Sequence, residues 1–189
     1  MLLHFAFVAL FSVCLAQPPQ FYAATCSYPN STDTAIHTYN CNQANKMFIK
    51  SAKVLTEDGK EMYPIDFKKP IIIVLDAQNN GDVYYGNKVS VTVSKYSTTW
   101  FSSTCQWNEI PTFGLLSNID GCNFAHNCPL QKGKLELRLP LDVSGLSPII
   151  GMLAGNTAYQ LEIKMYNANP GANNHEEIAC VTTQMKIAP

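Results

Sequence analysis

The stretch Val89-Ser90-Val91-Thr92-Val93-Ser94 decides the fold class, because valine alternates along it with a small hydroxyl-bearing residue. A period of two places successive side chains on opposite faces of a strand, so the valines predict one buried face. The same period recurs in two later stretches: Leu135, Leu137 and Leu139, and then Tyr159, Leu161, Ile163 and Met165. These three segments predict strands of antiparallel sheets.

Three further apolar runs extend the pattern on both sides of these strands. They cover residues 48–54, 71–75 and 178–187. Turn-forming pairs such as Asp58-Gly59 and Lys132-Gly133 separate the runs, and no strong helical period is present. At least six strands without helices predict an all-β antiparallel sandwich formed by one domain.

The composition is that of a folded protein with nearly balanced charge. Thirteen Lys and Arg face fourteen Asp and Glu, and 47% of the residues are hydrophobic. Without a basic surplus no nucleic-acid partner is expected. Disorder is excluded, because it requires low hydrophobicity together with high net charge. The charged fraction, 14%, lies below the roughly 25% of an average domain, which suggests that some apolar surface serves more than packing.

The N-terminus predicts a secretory signal peptide over residues 1–16. Residues 2–15 are almost wholly apolar, and the small residue Ala16 precedes polar Gln17. A membrane anchor is the alternative, but fourteen residues are fewer than the ~20 that cross a bilayer. Cleavage after Ala16 would leave an N-terminal extension, residues 17–39, ahead of the main domain at 40–189.

Cysteine usage agrees with secretion. Without Cys14 in the predicted signal peptide, six cysteines remain: Cys26, Cys41, Cys105, Cys122, Cys128 and Cys180. An even number in a secreted chain predicts disulfides, although six cysteines allow fifteen pairings. The sequon Asn30-Ser31-Thr32 predicts N-glycosylation of Asn30.

Signatures of catalysis are absent from the sequence. It contains no Gly-x-Ser-x-Gly, phosphate-binding loop, His-Glu-x-x-His or Gly-x-Gly-x-x-Gly motif. His126 between Cys122 and Cys128 could suggest a metal, but a zinc site usually needs four ligands and no second Cys/His cluster is available. We therefore predict neither enzymatic activity nor a metal or other cofactor. An uncharacterised hydrolase is the least favoured alternative.

A specific resemblance emerges at Gly121-Cys122-Asn123-Phe124-Ala125-His126-Asn127-Cys128-Pro129-Leu130-Gln131-Lys132-Gly133. This six-residue cysteine step, followed by Pro, Lys-Gly and an alternating strand, resembles the ML-domain lipid-recognition family, which includes sterol carriers, a ganglioside activator and mite allergens. Asn40-Cys41 and Ile178-Ala179-Cys180 resemble its first and last core cysteines. The similarity spans about residues 40–188.

The resemblance implies an immunoglobulin-like antiparallel β-sandwich with an internal apolar lipid cavity. The candidate wall residues are the predicted inward faces: Val89, Val91, Val93, Leu135, Leu137, Leu139, Tyr159, Leu161, Ile163 and Met165. A filled sandwich core would show the same alternation and is the alternative. The resemblance also implies disulfides between Cys41 and Cys180 and between Cys122 and Cys128. Cys26 and Cys105 are left as a third pair, which departs from the sterol-carrier pattern.

Two apolar segments outside the strands are candidates for the cavity rim. Between Cys105 and Cys122, Trp107 and Phe113 are predicted near the entrance, with ordinary burial as the alternative. Residues 143–156 carry no charge and are similar to the apolar loop beside the cavity in the ganglioside activator. This second segment predicts a movable lid that enters the membrane interface, with Ile149, Ile150, Met152 and Leu153 as the inserting residues and Leu146 as a further apolar residue. A permanent plug of the sandwich is the alternative.

The functional expectation is a secreted or endolysosomal lipid-binding and lipid-transfer protein that holds a sterol, phospholipid or glycolipid between two sheets. It would act as a monomer and contact membranes transiently. The alternative is a secreted protein-interaction module or co-receptor of the same fold, with lipid only as a modulator.

Overall fold

The computed structural model describes residues 26–141, 147–153, 155–173 and 175–189. The predicted signal peptide and the first part of the predicted extension lie outside the described residues. The described strands are β1 (His37–Asn40), β2 (Met47–Leu55), β3 (Ile71–Asn79), β4 (Asn87–Thr99), β5 (Ser102–Glu109), β6 (Ile119–Asp120), β7 (Gly133–Leu141), β8 (Ala158–Asn167) and β9 (Glu177–Lys186). Two short helices, α1 (Gly121–Ala125) and α2 (Ser147–Met152), and a 3-10 turn at Pro29–Ser31 complete the described elements.

The strands form two antiparallel sheets. The larger sheet has the order β1-β9-β8-β4-β5, with short β6 also paired to β4, and the smaller sheet has the order β2-β3-β7. Every strand pairing is antiparallel. The predicted all-β sandwich is confirmed, and all six predicted strands are present.

Strand register brings the predicted inward faces together across the sheets. On the larger sheet, Val91 pairs with Ile163 and Val93 with Leu161. On the smaller sheet, Leu75 pairs with Leu137. Paired residues in an antiparallel ladder share one face, so each sheet turns a continuous apolar surface toward the other.

Three strands were not predicted, and each has a weak sequence signal. Strand β5 lies at a sheet edge and reads Ser-Ser-Thr-Cys-Gln-Trp-Asn-Glu, so its side chains are mostly polar. Strands β1 and β6 are only four and two residues long. Strand β1 starts within the predicted extension and pairs with β9. Hydrophobic period cannot mark strands that are short or exposed on both faces.

Buried side chains gather toward the two ends of the sandwich. One cluster includes Ile65, Val93, Ile149 and Tyr159, and another, at the opposite end of β4, includes Tyr84 and Leu130. A smaller cluster, formed by Ile49, Ala77 and Val181, lies between them. Members of all three clusters also border an unfilled space between the facing sheets.

Three disulfides join distant parts of the chain. Cys41, directly after β1, bonds to Cys180 in β9, and Cys122 bonds to Cys128 around α1. Cys26 bonds to Cys105, which fastens the segment before β1 to edge strand β5. All three predicted pairings are present. They indicate an oxidising extracellular or lumenal environment.

The predicted glycosylation site lies on the surface. Asn30 is exposed in the 3-10 turn, and its amide donates a hydrogen bond of 2.8 Å to Oε1 of Gln184. Thr32 of the same sequon is buried and donates from its hydroxyl to the carbonyl of Pro29 at 2.8 Å. Glycosylation of Asn30 stays a prediction.

In the described part of the chain, no helix has the length and apolar character needed to cross a bilayer.

Candidate ligand cavity

A cavity of about 290 Å³ lies between the two sheets. Of the 33 described residues that line it, four are polar and none is charged. The polar ones are Thr38, Asn87, Asn127 and Thr183. Well-packed protein interiors leave few voids larger than a water molecule, whereas ligand sites start near 300 Å³. The space therefore has the size and lining of a small apolar ligand site.

Eight of the ten predicted wall residues line this cavity. They are Val89, Val91, Val93, Leu137, Leu139, Leu161, Ile163 and Met165. They belong to β4, β7 and β8, in which alternating apolar and polar residues predicted that these side chains point into the sandwich. Open space therefore borders eight of the predicted wall residues, and occupation of that space by a lipid stays a prediction.

Leu135 and Tyr159 were predicted in the wall and do not line the cavity. Leu135 faces inward near the start of β7 but packs against the clusters that contain Met47 and Ile49. Tyr159 is fully buried in the cluster that contains Ile149. Alternation identifies the inward face of a strand but not where along that face packing ends and open space begins.

Most of the wall was not predicted individually. Residues of β2, β3 and β9 also line the cavity: Met47, Ile49, Ala52, Val54, Ile71, Ile73, Leu75, Ala179, Val181, Thr183 and Met185. Residues 71–75 are apolar at every position, so the sequence gives no period from which to choose a face. In β9 the polar residue Thr183 takes an inward position, which disguises the alternation.

The predicted rim residues Trp107 and Phe113 also do not line the cavity. Trp107 pairs across the ladder with Tyr96, and their ring centroids are 5.0 Å apart. Tyr96 is on the opposite face of β4 from Val93, so this aromatic pair lies outside the sandwich. Phe113 is 83% exposed in the loop that follows β5. Leu116 of that loop is the residue that reaches the cavity.

The predicted lid segment is only partly described. Leu146 lies outside the described residues, while Ile149, Ile150 and Leu153 line the cavity. Ile149 is 3% exposed and Met152 is 38% exposed. This arrangement matches the alternative in which the segment packs onto the sandwich. The movement of a lid stays a prediction.

An unpredicted pair of exposed aromatic residues lies at the same end as α2. Trp100 and Phe101 form the two-residue turn between β4 and β5, and they are 95% and 96% exposed. Thr157, shortly after α2, donates from its hydroxyl to the carbonyl of Tyr96 at 2.6 Å. The hairpin and α2 therefore share one end of the sandwich, which we call the hairpin end.

The opposite end, which we call the disulfide end, holds the most deeply buried polar group of the cavity wall. Asn87 begins β4 and is 1% exposed. Its Nδ2 donates to the disulfide sulfurs of Cys128 at 3.2 Å and Cys122 at 3.4 Å. Its Oδ1 is buried without a hydrogen-bond partner among the described residues. The cavity wall here includes Gly121 and Asn127.

Charges beside the disulfide end stabilise α1 rather than reach the cavity. Asp120 caps α1 by accepting a hydrogen bond from the backbone N–H of Asn123 at 3.0 Å. Its carboxylate also pairs with the Lys88 ammonium at 3.1 Å. The hydrogen bond from the Asn123 N–H lowers the pKa of Asp120 below its ordinary value, and the Lys88 ammonium lowers it further. No group of three potential metal ligands occurs among the described residues.

Comparisons with known proteins do not assign the chain to a family. No protein-family model matches it, and no curated protein gives a significant match. Eighteen chains of solved structures match. One is described as the crystal structure of the C-terminal domain of wzt, with 10% identity, 82% coverage of this chain, 80% coverage of that chain and a TM-score of 0.30. A superposition this loose supports no conclusion about function.

Proposed function

We propose that this protein binds one lipid between its two sheets and carries it between membranes or to a protein partner. The observation that carries the proposal is the cavity of about 290 Å³, whose described lining has no charge and only four polar residues. Such a wall favours an apolar ligand, because burying apolar area stabilises the complex by roughly 25 cal/mol per Å². A reaction is not required for this function.

The energetic cost of an open interior supports occupancy by a ligand. At about 24 cal/mol per Å³ of unfilled void, a 290 Å³ cavity would cost on the order of 7 kcal/mol. A domain has only about 5–15 kcal/mol of total stability. A lipid that fills the space would recover much of this cost, and the three disulfides would offset the remainder by restricting the unfolded chain.

The same features support membership of the ML-domain lipid-recognition family and a secreted or endolysosomal location. The Cys122–Cys128 and Cys41–Cys180 bonds link the cysteines that carry the resemblance to that family. Disulfides persist in secreted and lumenal compartments. A signal peptide over residues 1–16 would deliver the chain there.

Membrane contact is proposed at the hairpin end. Trp100 and Phe101 are exposed there beside α2, whose Ile150 and Ile149 line the cavity. Aromatic side chains, tryptophan above all, favour the boundary between lipid headgroups and acyl chains. A hairpin that enters this boundary would place the α2 end of the cavity against the source of lipid.

A lipid-transfer assay tests the proposal. Donor vesicles carry a self-quenched fluorescent phospholipid or sterol, acceptor vesicles carry none, and dequenching follows after the protein is added. We expect transfer to rise in proportion to protein concentration and to saturate with donor lipid. Two controls are buffer alone and an equal amount of the reduced, unfolded protein. The proposal is contradicted if the native protein transfers lipid no faster than these controls.

The protein-interaction alternative is favoured by one observation, the exposure of Trp100 and Phe101, because exposed aromatic residues also dock proteins. The two functions differ in what they require of the cavity. A carrier loses function when the cavity is filled by a larger side chain. An interaction module keeps its partner affinity after that change.

A further inference from the structure

The exposed apolar side chains of the protein are concentrated in one short stretch. Among the described residues, eight large apolar side chains are exposed, and four of them lie between residues 100 and 115. These four are Trp100, Phe101, Phe113 and Leu115, each at least 57% exposed. Exposed apolar groups that gather on one part of a protein surface mark contact with a partner or a membrane. The stretch is therefore a candidate interaction surface.

Strand β5 and the loop that follows it place these residues along one edge of the larger sheet. Strand β5 pairs with the second half of β4 and ends the described strand order. The loop stays on the same side of β4, because the Ile110 N–H donates to the Val93 carbonyl at 2.8 Å. The Leu116 carbonyl accepts from the Val91 N–H, also at 2.8 Å. We call residues 100–116 the β5 edge.

Two apolar pairs mark the two ends of the β5 edge. Trp100 and Phe101 form the hairpin turn before β5, and Phe113 and Leu115 lie in the loop after it. Strand β5 has eight residues, so at about 3.3 Å per residue it spans roughly 25 Å between the pairs. A protein that touched a membrane only with its hairpin turn would leave the second pair in water.

The loop exposes Phe113 at a conformational cost. Phe113 has a φ of +50° and Gly114 a φ of +79°, and the left-handed region is uncommon for a bulky side chain. The Leu115 N–H closes this turn by donating to the Thr112 carbonyl at 3.0 Å. Leu116, the next residue, is buried and lines the cavity. Because the turn holds Phe113 and Leu115 away from the core that Leu116 enters, their apolar area is presented to a surface outside the protein.

The charge pattern of the β5 edge favours a membrane over a protein partner. Residues 96–119 contain one acid, Glu109, and no Lys or Arg. Protein interfaces are enriched in Arg and surrounded by a polar rim, whereas Trp and Phe enter the boundary between lipid headgroups and acyl chains without ionic partners. Leu116 also brings this edge beside the cavity wall. A membrane that covers the edge would therefore adjoin the space in which we propose that lipid is held.

Resting on the proposed lipid-binding function, we infer that the β5 edge lies along the surface of a zwitterionic phospholipid membrane. Trp100 and Phe101 enter the membrane at one end of β5, and Phe113 and Leu115 enter it at the other. Two separated anchors orient the protein, so β5 runs parallel to the membrane and the side of the sandwich that holds Leu116 faces the lipid source. Because the edge has no basic residue, its binding does not depend on anionic lipid and is only weakly sensitive to salt.

Vesicle co-sedimentation of the purified, disulfide-bonded protein tests the second anchor. The variant is Phe113→Asn with Leu115→Ser, because asparagine tolerates the left-handed backbone at position 113. We expect it to bind phosphatidylcholine vesicles about fivefold or more weakly than the wild type. Its melting temperature should be unchanged, since both side chains are exposed. Wild-type binding should change less than about twofold between low and high salt.

Tyr39→Ser is the matched control. Tyr39 is an exposed aromatic residue in β1, the strand at the opposite edge of the same sheet. We expect this variant to bind the same vesicles as tightly as the wild type. An equal loss in Tyr39→Ser would overturn the inference, because it would show that exposed apolar residues contribute wherever they lie.

Tryptophan fluorescence tests the orientation. The chain contains two tryptophans, so Trp100→Phe leaves Trp107 as the only one and keeps an aromatic residue in the turn. Trp107 lies five positions after Ser102, the first residue of β5, or roughly 17 Å along the strand. If β5 lies parallel to the membrane, vesicles of brominated phosphatidylcholine should quench Trp107 more than unbrominated vesicles do. Equal fluorescence in the two kinds of vesicle would show an upright hairpin and overturn the inference.

The failures of this inference and of the proposed function differ. Unchanged vesicle binding in the variant with Phe113→Asn and Leu115→Ser overturns the second anchor, while lipid transfer by the wild type would still stand. A wild type that binds no vesicles, but forms a dimer that this variant abolishes, assigns the β5 edge to a second copy and also overturns the inference. A wild type that binds vesicles through both anchors but neither extracts nor transfers lipid overturns the proposed function and leaves the membrane contact intact.

Discussion

Leu135 and Leu137 lie two residues apart on the same face of β7, yet only Leu137 lines the cavity. Both leucines pack against the buried cluster of Met47 and Tyr84, but only Leu137 also borders the open space. The sequence predicts the common direction of these side chains from their period. It cannot predict where filled core gives way to open space, because that depends on side chains from β2, β3 and β9 that meet them from elsewhere in the chain.

These two leucines form a matched pair for testing the cavity. Leu137→Phe should fill open space, so we expect lipid binding to weaken by tenfold or more while stability changes by less than about 1 kcal/mol. Leu135→Phe should overpack its cluster and cost about 1–3 kcal/mol, with lipid affinity retained in the folded fraction. Denaturant titration and probe displacement measure both effects. Equal loss of stability in the two variants would show that position 137 is also filled core.

The buried hydroxyl oxygen of Tyr159 has no hydrogen-bond partner in the part of the chain that the structure describes. Burial raises the pKa of Tyr159. The folded-state pKa then exceeds the unfolded value of about 10, so its contribution to stability is intact below that pH and is lost as pH rises through it. We expect Tyr159→Phe to leave stability unchanged or raise it by up to about 1 kcal/mol at neutral pH. It should also reduce the loss of stability as the pH rises above about 10.

Thermal melts at neutral and alkaline pH measure both parts of this prediction. A neutral-pH destabilisation of Tyr159→Phe by more than about 1 kcal/mol would show that the hydroxyl has a hydrogen-bond partner. Because Tyr159 does not line the cavity, lipid affinity should stay at the wild-type value.

At the scale of elements, the sequence predicted one lid segment that is both exposed and next to the cavity. In the structure the most exposed aromatic residues are in the hairpin turn, and the residues next to the cavity include those of α2. Trp100 and Phe101 directly follow β4 in the sequence. The hydrophobic pattern does not show that they lie outside the β4–β5 ladder. Their exposure depends on where β4 turns back into β5. In α2, by contrast, Ile149 is buried and lies beside the cavity.

The hairpin makes a specific prediction about membrane contact. Trp100→Ser with Phe101→Ser should reduce binding to phosphatidylcholine vesicles at least fivefold without lowering the melting temperature, since both side chains are exposed. Tyr85→Ser is the control, because Tyr85 is also an exposed aromatic residue but precedes the other end of β4. Vesicle co-sedimentation measures the effect. A similar loss in Tyr85→Ser would show that membrane contact is not confined to the hairpin end.

Helix α2 gives the complementary prediction. Ile149→Asp would bury a charge without a partner and should cost about 3–5 kcal/mol. Met152→Asp on the exposed side of α2 should cost less than about 0.5 kcal/mol. If Ile149→Asp keeps its full stability, residue 149 leaves the core readily and the movable lid is favoured over the packed arrangement.

For the whole molecule, the alternating strands and cysteine positions were enough to predict the sandwich, while the edges escaped. Edge strand β5 and the segment before β1 illustrate the reason, because neither has a hydrophobic period. The Cys26–Cys105 bond that joins them was predicted only because these two cysteines were left as the third pair. Long-range packing decides such features, and a local pattern does not contain it.

The disulfides should differ in their contribution to stability. The Cys41–Cys180 bond closes a separation of 139 residues and the Cys122–Cys128 bond one of 6. Restriction of the unfolded chain predicts costs of about 5 and 2 kcal/mol, respectively, on removing each pair by double serine substitution. Chemical denaturation ranks the two variants. The reverse order would show that the Cys122–Cys128 bond also stabilises the native state, for example through its contact with Asn87.

The most direct test of the central claim is the lipid content of the intact protein. The protein is expressed through a secretory pathway, purified without detergent, extracted with organic solvent and analysed by quantitative mass spectrometry. We predict about one lipid per chain, and a large reduction in Leu137→Phe purified in parallel. A wild-type protein that contains no lipid after purification, and takes up none from vesicles, would contradict the account.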